Sequence, residues 1–472
     1  MYLAPALQFS TAEERESFDF FTSRAVSSLR GSLDSSFWQR ELLQAAYREP
    51  AIQHCVIALG AMHRRFFQGK GSHINAESLS DNYLQFALRQ SNQAIQDLVK
   101  QGHRIMTTRA DKVTLMTCSI LFFSMSCLQG YQKDAFEHLR SGIRMLNEMD
   151  STENSKSEEH PVDVESLRSI FVGLDLQARS IMSTSQTGTW VTKPKTKATF
   201  ILPPPELNMD SLLTMMRFLE SIYTQIHAFF QSTASRPEEN ADDINLEYRD
   251  LMTRFHRGTT VLEAICGKST STADEFTEPL TALRLQQSAM EFLLRSPPRP
   301  DLETRFSFIR KFASDSDLYD EPFDASAQVV KLFELATRLL PISSTLTPVF
   351  TMGIGPLSAL WLVAMRAPST FLALRKRAIS LMLSHPRREG FWDGMLAGQI
   401  AQEALRLEQE STQAEFGLSA NPSHDLITPD DLRSAIVAIT YEENDGRRAK
   451  IQYFNSRDLK AGRPGSMQWI NW

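Results

Sequence analysis

Apolar residues recur three and four positions apart along most of the chain, which is the period of an amphipathic helix. Such stripes run from 18 to 29 and from 131 to 146, and no proline occurs between 51 and 160 to force a break. Ser10 and Glu13 have the spacing of a capping box, which predicts that the first helix begins there. Further helices are predicted near 36–48, 50–68, 77–101, 110–128, 162–180, 210–231, 242–266, 277–295, 300–313, 323–340, 354–366, 370–384 and 391–410.

Polar stretches without apolar periodicity interrupt these helices, and the longest lies at 183–205. It contains eight serine or threonine residues, three lysines and a triple proline, a composition typical of an irregular connection. We therefore divide the chain into an N-terminal helical part at 1–182, a connection at 183–209, a C-terminal helical part at 210–454 and a tail at 455–472.

One segment near the C-terminus has the pattern of strands. Asn444, Asp445 and Gly446 lie between β-branched and aromatic residues of the segment 438–454, which predicts a hairpin. The expected fold is therefore mainly α, a large array of many helices with at most this short hairpin near the C-terminus.

Composition and charge narrow the class of protein. Hydrophobic residues make up 42% of the 472 residues, enough for a large core and too many for a disordered chain. Lysine and arginine number 50 against 56 acidic residues, a formal net charge of −6 that gives no overall attraction to phosphates. The apolar run 115–128 contains several hydroxyl side chains and is short for a membrane span, so we expect a core helix.

The cysteines are few and scattered. Cys55, Cys118, Cys127 and Cys266 are never closer than nine positions, so the chain has no CxxC pair with which to build a zinc site. His54 and Cys55 project about 100° apart on a helix and do not converge. We expect no metal and no cofactor, and we interpret the cysteines as core residues of a protein from a reducing compartment.

Motifs of catalysis are missing as well. The sequence contains no GxSxG, HExxH or Walker motif. Gly353 and Gly355 form a GxG without the third glycine of a dinucleotide-binding loop, and no βαβ pattern surrounds them. No catalytic residue is singled out, and the chain is expected not to be an enzyme.

Basic residues cluster at 375–377, 387–388 and 447–450. Short clusters of this kind serve in nuclear import or phosphate contact, but more often they form a solvated face or pair with acids. We favour the solvated face. In the neighbouring motif Phe391-Trp392-Asp393 we expect a buried Trp392, with Arg387 and Arg388 exposed or paired. Trp392→Ala is then expected to cripple folding, and Arg387→Ala to change stability little.

Several short motifs occur in an order that resembles the regulatory domain of fungal binuclear zinc-cluster transcription factors. The resemblance covers about residues 9 to 454. The motifs are FDFF at 18–21, Gly31 through FW at 37–38, LLQAA at 42–46, EPAI at 49–52, VIALGAMH at 56–63, GY at 130–131, HLRSG at 138–142, LDLQAR at 174–179, RAIS at 377–380, HPRREGFWD at 385–393 and RRAKI at 447–451.

The resemblance implies a helical domain of several hundred residues that acts in the nucleus, and also in the cytoplasm, through protein partners or a small-molecule effector. Relatives of this family often lie beside secondary-metabolite pathway genes, which implies control of such a pathway. In the family a six-cysteine zinc cluster that reads DNA precedes this domain, and this sequence lacks it. Direct DNA binding by this chain is therefore not expected, and no DNA-binding residue is named. The chain is either a lone regulatory module or part of a longer product.

Two other classes of function stay open at this point. The first is a ligand-binding or scaffold module without a transcriptional role. The second, less favoured, is an enzyme, because helical domains host activities that short motifs do not reveal.

Overall fold

In a computed structural model of the chain, the residues described are 9–33, 36–70, 81–102, 108–151, 160–182, 190, 201–233, 236, 240–268, 274–296, 323–341, 347–417, 426–442 and 447–472. Helices dominate them, as the apolar periodicity predicts. The helix predicted at 300–313 and most of the connection predicted at 183–209 lie outside the described residues.

The described residues of the N-terminal half form a series of helices. They are α1 (Ala12–Phe20), α2 (Val26–Leu29), α3 (Leu42–Ala46), α4 (Pro50–Arg65), α5 (Asn82–Gly102), α6 (Arg109–Gln129), α7 (Gln132–Ser151) and α8 (Val164–Ile181). Single turns of π-helix lie between α1 and α2 (Phe21–Ala25), before α3 (Phe37–Glu41) and after α4 (Phe66–Lys70).

The capping box of α1 lies one residue later than the spacing of Ser10 and Glu13 predicts. Thr11 has the extended backbone of an N-cap, and its hydroxyl accepts a hydrogen bond from the Glu14 amide at 3.2 Å. The Glu14 carboxylate in turn accepts from the amides of Thr11 and Ser10, so that Ser10 lies outside the helix. Glu14 is buried against the helix array, which selects it over the exposed Glu13.

The C-terminal half begins with long helices and ends in strands. Its helices are α9 (Met209–Thr233), α10 (Ala241–Cys266), α11 (Thr277–Arg295), α12 (Ala325–Arg338), α13 (Pro356–Arg366), α14 (Leu372–Ser384), α15 (Gly394–Phe416) and α16 (Ser456–Ala461). Its strands are β1 (Val349–Thr351), β2 (Arg387–Glu389), β3 (Trp392–Asp393), β4 (Ser434–Tyr441), β5 (Arg448–Asn455) and β6 (Ser466–Asn471).

The strands form two small sheets. Strands β4 and β5 pair antiparallel with Ile439 opposite Ile451, as predicted for the two arms of the hairpin. The turn residues Asn444, Asp445 and Gly446 lie outside the described residues. Strand β6, from the predicted tail, adds to the other edge of β5, with Ile470 opposite Ala449. A second sheet has the order β1-β2-β3, with β1 parallel to β2 and β3 antiparallel to it. The strand content therefore exceeds the single hairpin, although the fold is mainly α as predicted.

Two hydrophobic cores correspond to the two halves, and each half contributes side chains to the core of the other. Phe350, Met352 and Phe391 belong to the N-terminal core, whereas Leu33 and Leu176 belong to the C-terminal one. Backbone bonds join the halves as well, since the Met352 amide donates to the Leu29 carbonyl at 3.1 Å.

Helix α6 is long and apolar enough to cross a membrane, and it is the single helix of that kind in the described part of the chain. Most of it is buried inside the protein, where Met116, Ile120 and Phe123 lie in the N-terminal core. This burial confirms the core helix that the apolar run at 115–128 predicts.

Candidate functional site

A pocket lies at the junction of the two halves. It has a volume of about 200 Å³ and is lined by the end of α8, by α9, α11, α13 and α15, by strand β4, and by the turn that leads from Phe391 to Asp393. An apolar cavity of about 150 Å³ holds a molecule of the size of benzene. The pocket is therefore large enough for a small aromatic ligand.

Aromatic and aliphatic side chains form most of its wall. The indoles of Trp361 and Trp392 meet edge to face with ring centroids 5.9 Å apart. Leu362 and Met365 follow Trp361 along α13, and Val437 faces them from β4. Flat apolar walls of this kind bind the faces of rings and aliphatic chains, as small-molecule sites generally do.

The position of Trp392 depends on a tight turn held by Gln177 of α8. Its amide nitrogen donates to the Met352 carbonyl at 2.7 Å, and its amide oxygen accepts from the Phe391 amide at 3.1 Å. Gly390 has φ +53°, and a Cβ there would lie 2.0 Å from that same oxygen, so the turn requires glycine. The Trp392 indole then reaches Ser180, to whose hydroxyl it donates at 3.0 Å.

One buried polar atom of the wall has no hydrogen-bond partner among the described residues. It is Nε2 of His227, whose ring stacks on Tyr223 with centroids 5.1 Å apart. Tyr441 also lines the pocket. Burial lowers the pKa of His227 to about 4, and the charge of Arg179 adds to this effect. His227 is therefore neutral near pH 7 and offers one hydrogen bond, as donor or acceptor according to its tautomer.

The charged residues of the wall are already engaged. Asp393 pairs with Arg388 at 2.7 Å and also caps α15 by accepting from the Met395 amide. Arg366 donates to the backbone and the hydroxyl of Ser296. Consequently, within the described residues, the pocket presents no uncommitted counter-ion to a charged ligand.

The prediction that Trp392 is buried and that its neighbouring arginines are exposed or paired is confirmed. Trp392 is 7% exposed, Arg388 pairs with Asp393, and Arg387 pairs with Glu389 at 2.5 Å. Glu389 is fully buried and also accepts from the amides at the start of α13. Because Arg387→Ala would strand this buried carboxylate, a larger loss of stability is now expected than the sequence suggested.

The solvated face that we favoured for the basic clusters is wrong for one arginine in each of them. Arg375 is 1% exposed and pairs with the equally buried Glu408 at 2.8 Å. Arg388 and Arg447 are also buried. Buried carboxylates and carbonyl oxygens accept hydrogen bonds from these guanidinium groups in the interior. Spacing in the sequence does not reveal such partners.

Arg388 and Arg447 bind the C-terminal end of α6. Arg388 donates to the Leu128 carbonyl at 2.6 Å, and Arg447 donates to the Gln129 carbonyl at 3.1 Å. The last carbonyls of a helix lack partners within it and carry partial negative charge, so cations stabilise this end. Two arginines from the C-terminal half thus tie it to a core helix of the N-terminal half.

Residues 16–298, more than half of the chain, match the fungal specific transcription factor domain. The chain belongs to this family. It is also 24% identical, over 521 aligned positions, to the aspercryptin biosynthesis cluster-specific transcription regulator of Emericella nidulans. That alignment covers 94% of this chain and 80% of the other protein. No solved structure matches the chain.

This family assignment confirms the resemblance carried by the motifs. The region of the fungal specific transcription factor domain contributes Ser180, His227 and Leu293 to the pocket. Trp361, Trp392 and the other lining residues of α13, α15 and β4 lie beyond it. The pocket is therefore shared between the matched region and the part of the chain that follows it.

The cysteines lie as the sequence predicts for core residues. Cys55, Cys118 and Cys127 are buried, and Cys266 is half-buried. Burial and contact with Cys118 raise the pKa of Cys55, which keeps this thiol protonated. Within the described ranges no three potential ligands come close enough to hold a metal ion. That this fungal transcription factor domain uses no metal, cofactor or catalytic residue stays a prediction.

Sequence reasoning named Trp392, in the motif Phe391-Trp392-Asp393, as a buried residue and predicted no pocket. Its wall combines residues from segments up to about 260 positions apart, such as Ser180 and Tyr441, and periodicity within one segment cannot join them. One signal was present. His227 interrupts the apolar face of α9, but a histidine on such a face is more often a core residue than a ligand contact.

Proposed function

We propose that this chain regulates transcription through its helical domain, in the nucleus, by binding protein partners and a small-molecule effector. The match of residues 16–298 to the fungal specific transcription factor domain carries this proposal. The similar protein from Emericella nidulans is named as specific to a biosynthesis cluster, which supports control of a secondary-metabolite pathway here too.

The junction between the halves supports a role in signalling. The pocket, the turn held by Gln177, and Arg388 and Arg447 at the end of α6 all lie where the two halves meet. A ligand that contacts the end of α8 together with α9, α13 and β4 touches both halves. Binding that differs between two arrangements of the halves would shift the equilibrium between them.

Direct DNA contact is not part of the proposal. Arg375, Arg388 and Arg447 are committed to internal partners, so each basic cluster has one arginine fewer with which to reach phosphates. Partners or a separate DNA-binding element then direct the protein to its genes.

A reporter assay tests the regulatory role. The full chain is fused to an unrelated DNA-binding module in a fungal host, and a reporter with that module's site is measured under conditions that induce secondary metabolism. We expect the fusion to change reporter output relative to the module alone. A fusion that is folded and nuclear yet leaves output unchanged under every condition would refute the regulatory role.

The pocket also supports a second candidate, a ligand-binding module without a transcriptional role. Ligand binding with no change of reporter output would favour it. An enzymatic role is not proposed, because the acid of the pocket wall, Asp393, is already held in an ion pair and a helix cap.

A further inference from the structure

We infer that the pocket between α9, α13, α15 and β4 binds a neutral aromatic molecule that carries a hydroxyl group, with His227 as its hydrogen-bond partner. The inference depends on the proposed function at one point, the role of the bound molecule as an effector of transcription. The chemistry of the pocket wall argues for each part of the ligand class separately.

The wall favours an aromatic skeleton. Trp361 and Trp392 present faces and edges of indole rings, while Leu362 and Val437 close the space around them. A volume of about 200 Å³ exceeds what a single benzene ring requires, so a ligand of two fused rings is a suitable probe.

The wall also favours a neutral ligand. Asp393 is paired with Arg388, and Arg366 is bonded to Ser296. A carboxylate or ammonium group entering the pocket would lose its hydration and meet no uncommitted opposite charge among the described residues, which is costly.

The hydroxyl follows from His227. Nε2 of this residue is buried and has no partner among the described residues, and an unpaired buried polar group is unfavourable. A hydroxyl both donates and accepts, so it pairs with either tautomer of the neutral ring.

Calorimetric titration of the full chain with three matched probes tests the inference. They are 2-naphthol, naphthalene and 2-naphthoate, which share one ring system and differ in the polar group. We expect 2-naphthol to bind at one site per chain. Naphthalene should bind about fivefold more weakly because it lacks one hydrogen bond, and 2-naphthoate should bind at least roughly tenfold more weakly than 2-naphthol because of its charge.

Variants assign the contact to the pocket. His227→Phe keeps the stacking on Tyr223 and should bind 2-naphthol no better than naphthalene, with naphthalene binding unchanged. Because Nε2 is unpaired, this variant should fold at least as stably as the wild type.

Ala397→Phe fills the pocket and should weaken the binding of both neutral probes. His256→Phe, on the exposed face of α10, is the matched control and should bind like the wild type.

The result can fail independently of the regulatory role. No saturable binding of 2-naphthol, equal binding of 2-naphthoate, or unchanged selectivity in His227→Phe would each overturn the inference, whatever the reporter assay shows. Conversely, the expected binding pattern together with a silent reporter would keep the ligand site and refute its transcriptional role.

Discussion

At the scale of residues, the most unexpected feature is a buried ion pair between α14 and α15. Arg375 donates to Glu408 at 2.8 Å and to the Ala364 carbonyl at 2.7 Å. The other carboxylate oxygen of Glu408 accepts from the Ser434 amide at the start of β4. One carboxylate thus connects the helices to the C-terminal sheet, and removal of Arg375 would leave this carboxylate in the interior without its ion-pair partner.

We therefore predict that Arg375→Met lowers the free energy of unfolding by about 3–5 kcal/mol, as measured by denaturant titration. Arg406→Met provides the matched control on the same helix as Glu408. Arg406 is 46% exposed and pairs with Glu403 and Glu410 at the surface, where such pairs contribute about 0–1 kcal/mol. Equal losses in the two variants would show that the buried pair does not carry this stability.

His63 should give the protein a component of acid sensitivity. It is buried among the rings of Phe20, Phe66 and Phe350, and burial lowers its pKa to about 4. In the unfolded chain a histidine has a pKa of about 6.5, so protonation below that pH favours unfolding until the folded state also takes up the proton near pH 4.

The measurement compares wild type with His63→Phe at pH 7 and pH 5. We predict that, when the pH falls from 7 to 5, the unfolding free energy of the variant rises by about 2 kcal/mol relative to that of the wild type. The wild-type curve alone would mislead, because burial raises the pKa of Glu220 to about 8 and that group stabilises the fold as the pH falls. A difference between variant and wild type that is the same at both pH values would contradict the prediction.

At the scale of elements, apolar periodicity located the helices closely. The prediction of 110–128 compares with α6 at Arg109–Gln129, and that of 242–266 with α10 at Ala241–Cys266. The sheet β1-β2-β3 was missed because strands of two or three residues are too short to show an alternation. Its position depends instead on Glu389, whose carboxylate binds the amides at the start of α13.

Packing of α1 against α4 gives a prediction at this scale. Gly60 lets the helices approach so closely that a Cβ there would lie 2.2 Å from the Ser17 carbonyl oxygen. Gly60→Ala should therefore destabilise the protein by roughly 1–3 kcal/mol, although alanine is the better helix former. Gly267→Ala at the end of α10 meets only ordinary contacts and should change stability by less than about 0.5 kcal/mol. A melting temperature raised by Gly60→Ala would refute the close approach.

At the scale of the whole molecule, the two halves predicted from composition share their cores. Phe350 and Phe391 enter the N-terminal core from beyond the connection, and Leu33 enters the C-terminal core from before it. The connection at 183–209 is predicted from its polar composition. Composition indicates which segment is exposed to solvent, but it does not indicate which side chains from the two halves pack together. The division stays a prediction about the chain, and the shared cores argue against two independent folding units.

We accordingly predict that the halves unfold together. Native-state hydrogen exchange of the full chain should give α4 and α15, one from each core, the same free energy of opening. Phe255 lies in the C-terminal core alone, and Phe255→Ala should lower the free energy of unfolding by about 3–5 kcal/mol. This variant distinguishes halves that unfold together from halves that unfold separately. In one cooperative unit this variant lowers the protection of α4 as much as that of α15, because either helix exchanges only when the whole molecule opens. If α4 kept its wild-type protection while α15 lost it, Arg388, Arg447 and the shared aromatic residues would not couple the halves. The pocket between the halves would then lack the connection on which signalling depends.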